Sequence, residues 1–351
     1  MNLKTYENNE LINKKVKKEY NLGIEILRVF LSFMVVLDHL YNKKKLKKYY
    51  YILYYHIPSF FLISFFFTYN TLTSFNLQKI KLRFERLIIP YIGWSIIAFI
   101  LKNIYYYLFN LNYEHTLKGF VKHLITGHIL NTPLWYQAIL IFTTIIFLII
   151  IFIFRNNQLF KLLVFHILSL ISYNLQYSGL NYNLNKKYLT THAKLTFGRF
   201  MEALPNAITG YTFAYLKIIN LLRQYRAKAI FFGFAILVII SKYAVFENLK
   251  TFKYGGLRLN LASSCLFIIF SLLPLENMKN ILKVFIKYCT RYTAGVYYMH
   301  YLVGNTHLIK TIFKSLNGTI YGCMIVYLLC YSISYFGIKI FGKYKIKYMF
   351  I

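Results

Sequence analysis

Apolar runs of about 18 to 22 residues recur along most of this chain, and a run of that length matches the hydrocarbon thickness of a bilayer. Ten such runs are read near 24–41, 50–73, 87–108, 134–154, 161–177, 199–220, 229–246, 258–275, 292–309 and 318–341. Few water-soluble proteins of 351 residues carry so many apolar runs, and 58% of the chain is apolar. Short alternating segments, the mark of a membrane barrel, are missing. The expected fold is therefore all-α, a polytopic integral membrane protein with about ten transmembrane helices. No small-residue cleavage site follows the first run, so that run reads as a retained span.

The charge is lopsided: 42 Lys and Arg against 10 Asp and Glu give a net +32. In a soluble protein this would point to nucleic acid. Here the basic residues fall between apolar runs, where they orient helices and meet anionic headgroups, and no nucleic-acid motif accompanies them. Membrane lipids, and no nucleic acid, are the expected partners. An even number of spans puts both termini on one face, and that face carries more Lys and Arg, so both ends are expected inside. The cluster Lys43, Lys44, Lys45, Lys47 and Lys48 runs against that rule. The organisation expected is a basic cytoplasmic lead over 1–22, one transmembrane domain over 23–342 and a short basic tail over 343–351. The segment 109–133 is expected to lie along the membrane surface. Its His115, His123 and His128 lack a ligand-type pattern, and no metal site is expected. Cys265, Cys289, Cys323 and Cys330 form no C-x-x-C pair, and no disulfide is expected.

Ionisable residues inside apolar runs are costly and mark polar cavities or function. Arg28 and His39 are eleven positions apart in the first run. On a helix they share a face, turned by only about 20° and separated by about 16 Å. They suggest a polar track along one side of a spanning helix; snorkelling at two helix ends is the alternative. Arg83 and Arg86 lie one turn apart in the connection before the third run. Guanidinium groups bind phosphate bidentately, although two positive-inside anchors would look the same. His300 falls in the middle of a run and needs a polar partner. Ser64 in an apolar run usually bonds its own helix. Trp94 and Trp135 read as interface aromatics.

Several strings, in order, resemble the membrane acyltransferase 3 family. EILRVFLSFMVVLDHL, Glu25 to Leu40, carries the family's basic residue, ten residues, then histidine. HIPSFFLISFFF keeps Pro58, Phe60, Phe61 and Ser64, with Phe65 where a glycine is usual. KLRFERLIIPYIGWS carries Arg83 and Arg86 as an Arg-x-x-Arg pair, then Pro90, Tyr91 and Trp94. PLWYQAILI supplies Leu134, Trp135 and Tyr136; LPNAITGY supplies Pro205 and Gly210; AGVYYMH supplies Gly295, Tyr297 and His300.

The resemblance implies an integral-membrane O-acyltransferase of a bacterial inner or plasma membrane. It would move an acyl group, most simply acetyl, from acyl-coenzyme A (acetyl-CoA) to a hydroxyl of a cell-surface glycan or its lipid-linked precursor. His39 and Arg28 are then the expected catalytic residues, and Arg83 and Arg86 the expected acyl-donor site. Ser64, Trp94, Trp135 and His300 are expected in support, with no permanently bound cofactor. Imidazole titrates near neutral pH, so His39 can act as a base or carry the acyl group itself, and the sequence does not choose. The rival class is a polysaccharide exporter or proton-coupled transporter, which would predict matched halves with Gly- or Pro-broken spans.

Overall fold

The computed structural model describes residues 21–41, 54–108, 116–126, 134–177, 191–246, 256–304, 316 and 318–350. Among them are helices and no strand. The helices are α1 (Leu22–Leu40), α2 (His56–Thr73), α3 (Leu77–Leu108), α4 (Leu117–Thr126), α5 (Trp135–Ile153), α6 (Gln158–Tyr177) and α7 (Thr191–Tyr215). There follow α8 (Ile218–Arg223), α9 (Arg226–Phe246), α10 (Leu257–Ser271), α11 (Asn280–Thr290), α12 (Thr293–Gly304), α13 (Ile320–Phe341) and a 3-10 turn, Lys345–Met349. The basic lead, the cluster Lys43–Lys48 and the side chains of His115, His123 and His128 lie outside the described residues.

Among the described residues, four helical segments are long and apolar enough to cross a membrane: Leu77–Leu101, Trp135–Ile153, Gln158–Gln176 and Ile320–Phe341. Some of the other expected runs are interrupted by polar residues or end sooner than the sequence suggests. Glu25, Arg28 and Asp38 interrupt α1, and Arg199, Glu202 and Asn206 interrupt α7. The expected run 199–220 breaks at Lys217, whose φ of 50 ends one helix before α8 begins. The run 258–275 stops as a helix at Ser271. The third run begins earlier than expected, so Arg83 and Arg86 sit on α3 rather than in a loop.

The outward faces are apolar. Phe152, Ile153, Phe231, Phe232, Phe234, Leu328 and Phe336 are all more than half exposed. The interior, by contrast, holds Asp38, His56, Gln137, Asn206, Asn260 and His300, each buried. Apolar outside and polar inside is the arrangement a lipid solvent selects. Several buried hydroxyls are satisfied within their own helices, as Thr143 donates to the Ile139 carbonyl and Thr144 to that of Leu140, both at 2.7 Å.

The first helix is central, packing against α2, α10, α11, α12 and α13. Asn21 fixes where it begins. Its side-chain oxygen accepts from the Ile24 amide at 3.1 Å, an N-cap. Its amide donates to the Ser271 carbonyl at 2.8 Å, which joins the start of α1 to the end of α10. Arg226 closes the α9–α10 pair: Nε donates to the Leu272 carbonyl, and the guanidinium meets Glu276 at 2.9 Å. That contact holds the Glu276 carboxyl below its ordinary pKa. Phe65, in the family's glycine position, is fully buried and packs on Phe147 with ring centroids 4.4 Å apart. Helices α2 and α7 approach closely at Gly210, where a Cβ would strike the backbone of Leu62.

That approach leaves no room for a side chain. Gly210→Val should cost about 1–3 kcal/mol through overpacking, read as a lower Tm in detergent and lower membrane abundance. A variant that melts like the parent would show that α2 and α7 are not in contact there.

Candidate functional site

Five helices meet around one polar track: α1, α2, α3, α5 and α12. Its first part is built on Arg83. From α3, the Arg83 side chain turns inward and Nη2 donates to Ser64 Oγ of α2 at 2.6 Å. Its Nε is buried and has no hydrogen-bond partner. No carboxylate lies within ion-pair distance of Arg83 among the described residues. The hydroxyls of Tyr136, at the start of α5, and Tyr298, on α12, lie within its electrostatic reach, as Tyr136 does for Arg28. Both tyrosines are buried. A half-buried guanidinium with no carboxylate beside it favours an anion or a developing negative charge.

The second part is built on histidines. His39, in the last turn of α1, is half-buried and its ring lies 5.1 Å from that of His300 on α12. Tyr301 stands edge-on to His39 at 5.9 Å. His56, the first residue of α2, is buried and within electrostatic reach of His300. His300 is fully buried. Tyr297 links the two parts: its ring is 5.3 Å from Tyr136 and 6.1 Å from His300. Tyr297 and His300 are three residues apart, so one face of α12 carries both.

The expected residues thus divide. Arg28 and His39 do lie on one continuous helix. Arg28 is ion-paired with Glu25 at 3.1 Å, so its charge is already partly answered. Arg83 and Arg86 part ways: Arg83 enters the protein, while Arg86 is exposed and lies over the Tyr348 ring at 5.8 Å. They cannot be described as one fork. Ser64 and His300 join the track. Trp135 instead stacks under Arg199 at 4.6 Å, and Arg199 pairs with Glu202 at 3.0 Å. Trp94 donates its indole N–H to the Met349 carbonyl at 2.8 Å, which makes it a fastening for the chain's tail. The expected basic tail is therefore docked on α3 through its last turn.

His56, Tyr136, Tyr297 and Tyr298 are members that the sequence reading did not single out for the site. The i, i+3 spacing of Tyr297 and His300 was the available signal. No group of three His, Cys, Asp or Glu is placed to hold a metal ion among the described residues. The four cysteines are free.

The described helices thus bring imidazole, guanidinium and phenol groups together inside a bundle with apolar outer faces. The family model described as an acyltransferase domain, acyltransferase 3, matches residues 21–343, and the chain belongs to that family. It is a membrane acyltransferase. No curated protein and no solved structure matches it.

The Arg83–Ser64 contact gives a direct test. Ser64→Ala removes the hydrogen-bond acceptor that Arg83 Nη2 meets on α2, at a cost of about 1–3 kcal/mol, seen as a lower Tm. Arg83→Met placed on top of Ser64→Ala removes the stranded charge and should restore part of that stability. An unchanged Tm in Ser64→Ala would show that the contact bears no weight.

Proposed function

We propose that the protein is an O-acyltransferase that takes an acyl group, most simply acetyl, from acyl-coenzyme A and delivers it to a hydroxyl of a cell-surface glycan or its lipid-linked precursor. The observation that carries this reading is the carboxylate-free guanidinium of Arg83 lying on the same track as His39 and His300. A thioester carbonyl gains negative charge as it is attacked, and a guanidinium with two phenols nearby can answer that charge. His39, half-exposed at the end of α1, is the imidazole a hydroxyl can reach; it takes the hydroxyl proton or carries the acyl group. Arg86, exposed near the tail, suits the donor's phosphates as a surface contact. Arg28, released from Glu25, would add to the charge along the route.

The chain is read as crossing a bacterial inner or plasma membrane ten times, with both termini and the start of α3 on the cytoplasmic face. The lipid-facing apolar surface and the excess of basic residues on the terminal side support this. The donor then enters from the cytoplasm, and His39 lies toward the opposite face, where a glycan is exposed. The track between Arg83 and His39 is the route the acyl unit takes across.

Two outcomes follow. Cysteine labelling at Lys81 and at Asn183 should report opposite faces of the membrane; labelling from one side only would overturn the topology. Replacing His39 with Gln keeps hydrogen bonding but removes proton uptake at neutral pH. Acylation should fall by about 10²–10⁴-fold while the protein stays inserted and abundant. Mass analysis of surface glycan from the two strains is the measurement, and normal acetyl content in the His39→Gln strain would remove His39 from the reaction.

A further inference from the structure

His300 has one feature that neither packing nor the family explains. Its Nδ1 lies 2.7 Å from the Tyr297 carbonyl oxygen and 3.2 Å from that of Val296. A carbonyl oxygen only accepts, so Nδ1 carries the proton and donates. The ring is then one fixed tautomer, and Nε2, on the opposite edge, holds a lone pair. That Nε2 is fully buried and has no hydrogen-bond partner. An acceptor left unmatched in a buried site is unfavourable and stands out in a native structure.

A neighbour able to match it is His39, whose ring lies against that of His300. The two ring centroids are 5.1 Å apart with planes at 35°. Two imidazoles joined by one N–H···N bond of ordinary length have centroids about 5 Å apart. The ring separation of the half-buried His39 is thus already that of a hydrogen-bonded pair, and the bond asks for a change of ring orientation rather than a closer approach of the helices. We propose that His39 and His300 form a dyad in which His300 Nε2 accepts the N–H of His39 and so sets the tautomer of the reacting imidazole. The other nitrogen of His39 then faces the acceptor hydroxyl with its lone pair. It takes the hydroxyl proton as that oxygen bonds to the acyl carbon, the carbon–sulfur bond of the donor breaks, and the departing thiolate receives the proton. His300, being buried, touches no substrate: it is a positioning residue. A neutral acceptor in the place of a carboxylate keeps a further charge out of the membrane interior.

This rests on the reading of His39 as the reacting imidazole, and the test separates the two. Membranes containing the full chain are given acetyl-CoA labelled in its acetyl group, and label entering the glycan fraction is measured per amount of protein at saturating donor. Asn at 300 can reproduce the Nδ1–H donor to the helix backbone but has nothing at the Nε2 position. Gln at 300 can set an oxygen acceptor there. Loss of tautomer control costs up to about 10⁴-fold where a carboxylate supplies it. His300→Asn should therefore lose about 100-fold or more, with KM for acetyl-CoA unchanged, and His300→Gln should exceed it by at least about ten-fold. A purely structural role predicts the reverse order, because Asn keeps the backbone bond. A Gln-to-Asn ratio at or below one, or two folded but inactive variants, overturns the dyad. If the Gln variant fails to accumulate, the folded Asn variant decides alone: parental activity overturns the dyad, and a hundred-fold loss upholds it. His39→Gln is run beside them. Activity there sinks the functional reading itself, whereas an inactive His39→Gln with the wrong Asn–Gln order sinks only the dyad.

Discussion

The contact between Arg83 and Ser64 is the constraint around which the rest is arranged. A guanidinium cannot leave water without compensation, and each unpaired buried ion costs several kcal/mol. Here a hydroxyl from α2 and two phenols, from α5 and α12, gather around a side chain of α3. Four helices are thus committed to one charge. None of those neighbours is a carboxylate, so the charge is stabilised without being cancelled. An interior of that kind favours an incoming negative charge, whether on a bound anion or on an oxygen during reaction.

The helices themselves do little to provide this polarity through their own backbones. Their hydroxyls mostly bond back into the turn above, as in Thr143 and Thr144. What remains available inside is the set of long or aromatic polar groups: Arg83, His39, His300, Tyr136, Tyr298. Their common property is reach. Arg83 crosses from α3 to Ser64 of α2, and the rings of His39 and His300 meet between α1 and α12, whereas many of the Ser and Thr hydroxyls bond within their own helix. The division explains why a bundle with apolar outer faces can still hold a continuous polar path.

Much of this was legible in the sequence, and the failures have physical causes. The all-helical class followed from run length alone. The shared face of Arg28 and His39 followed from helical periodicity, and α1 carries it. Placement across helices was less accessible. Ser64 read as a residue bonding its own backbone, because nothing local shows that Arg83, nineteen positions away, donates to it. Arg83 and Arg86 read as one pair because they share a spacing; 60° of helical rotation sends one inward and the other outward. Trp94 and Trp135 read as equivalent interface aromatics, yet one fastens the tail and the other stacks on Arg199. Run boundaries were also misjudged where a single residue ends a helix, as Lys217 does with its left-handed backbone.

The tail docked on α3 has a consequence for the order in which the molecule is made. The indole of Trp94 finds its acceptor at Met349, 255 residues further along the chain. Glu85 likewise waits for Lys345. At ordinary translation speeds of 5–20 residues per second, that interval is roughly 13–50 s. Through that time the helix that carries both arginines is already in place but lacks its last neighbour. Assembly of this protein is therefore closed from the far end: synthesis begins the arginine helix early and completes its surroundings late.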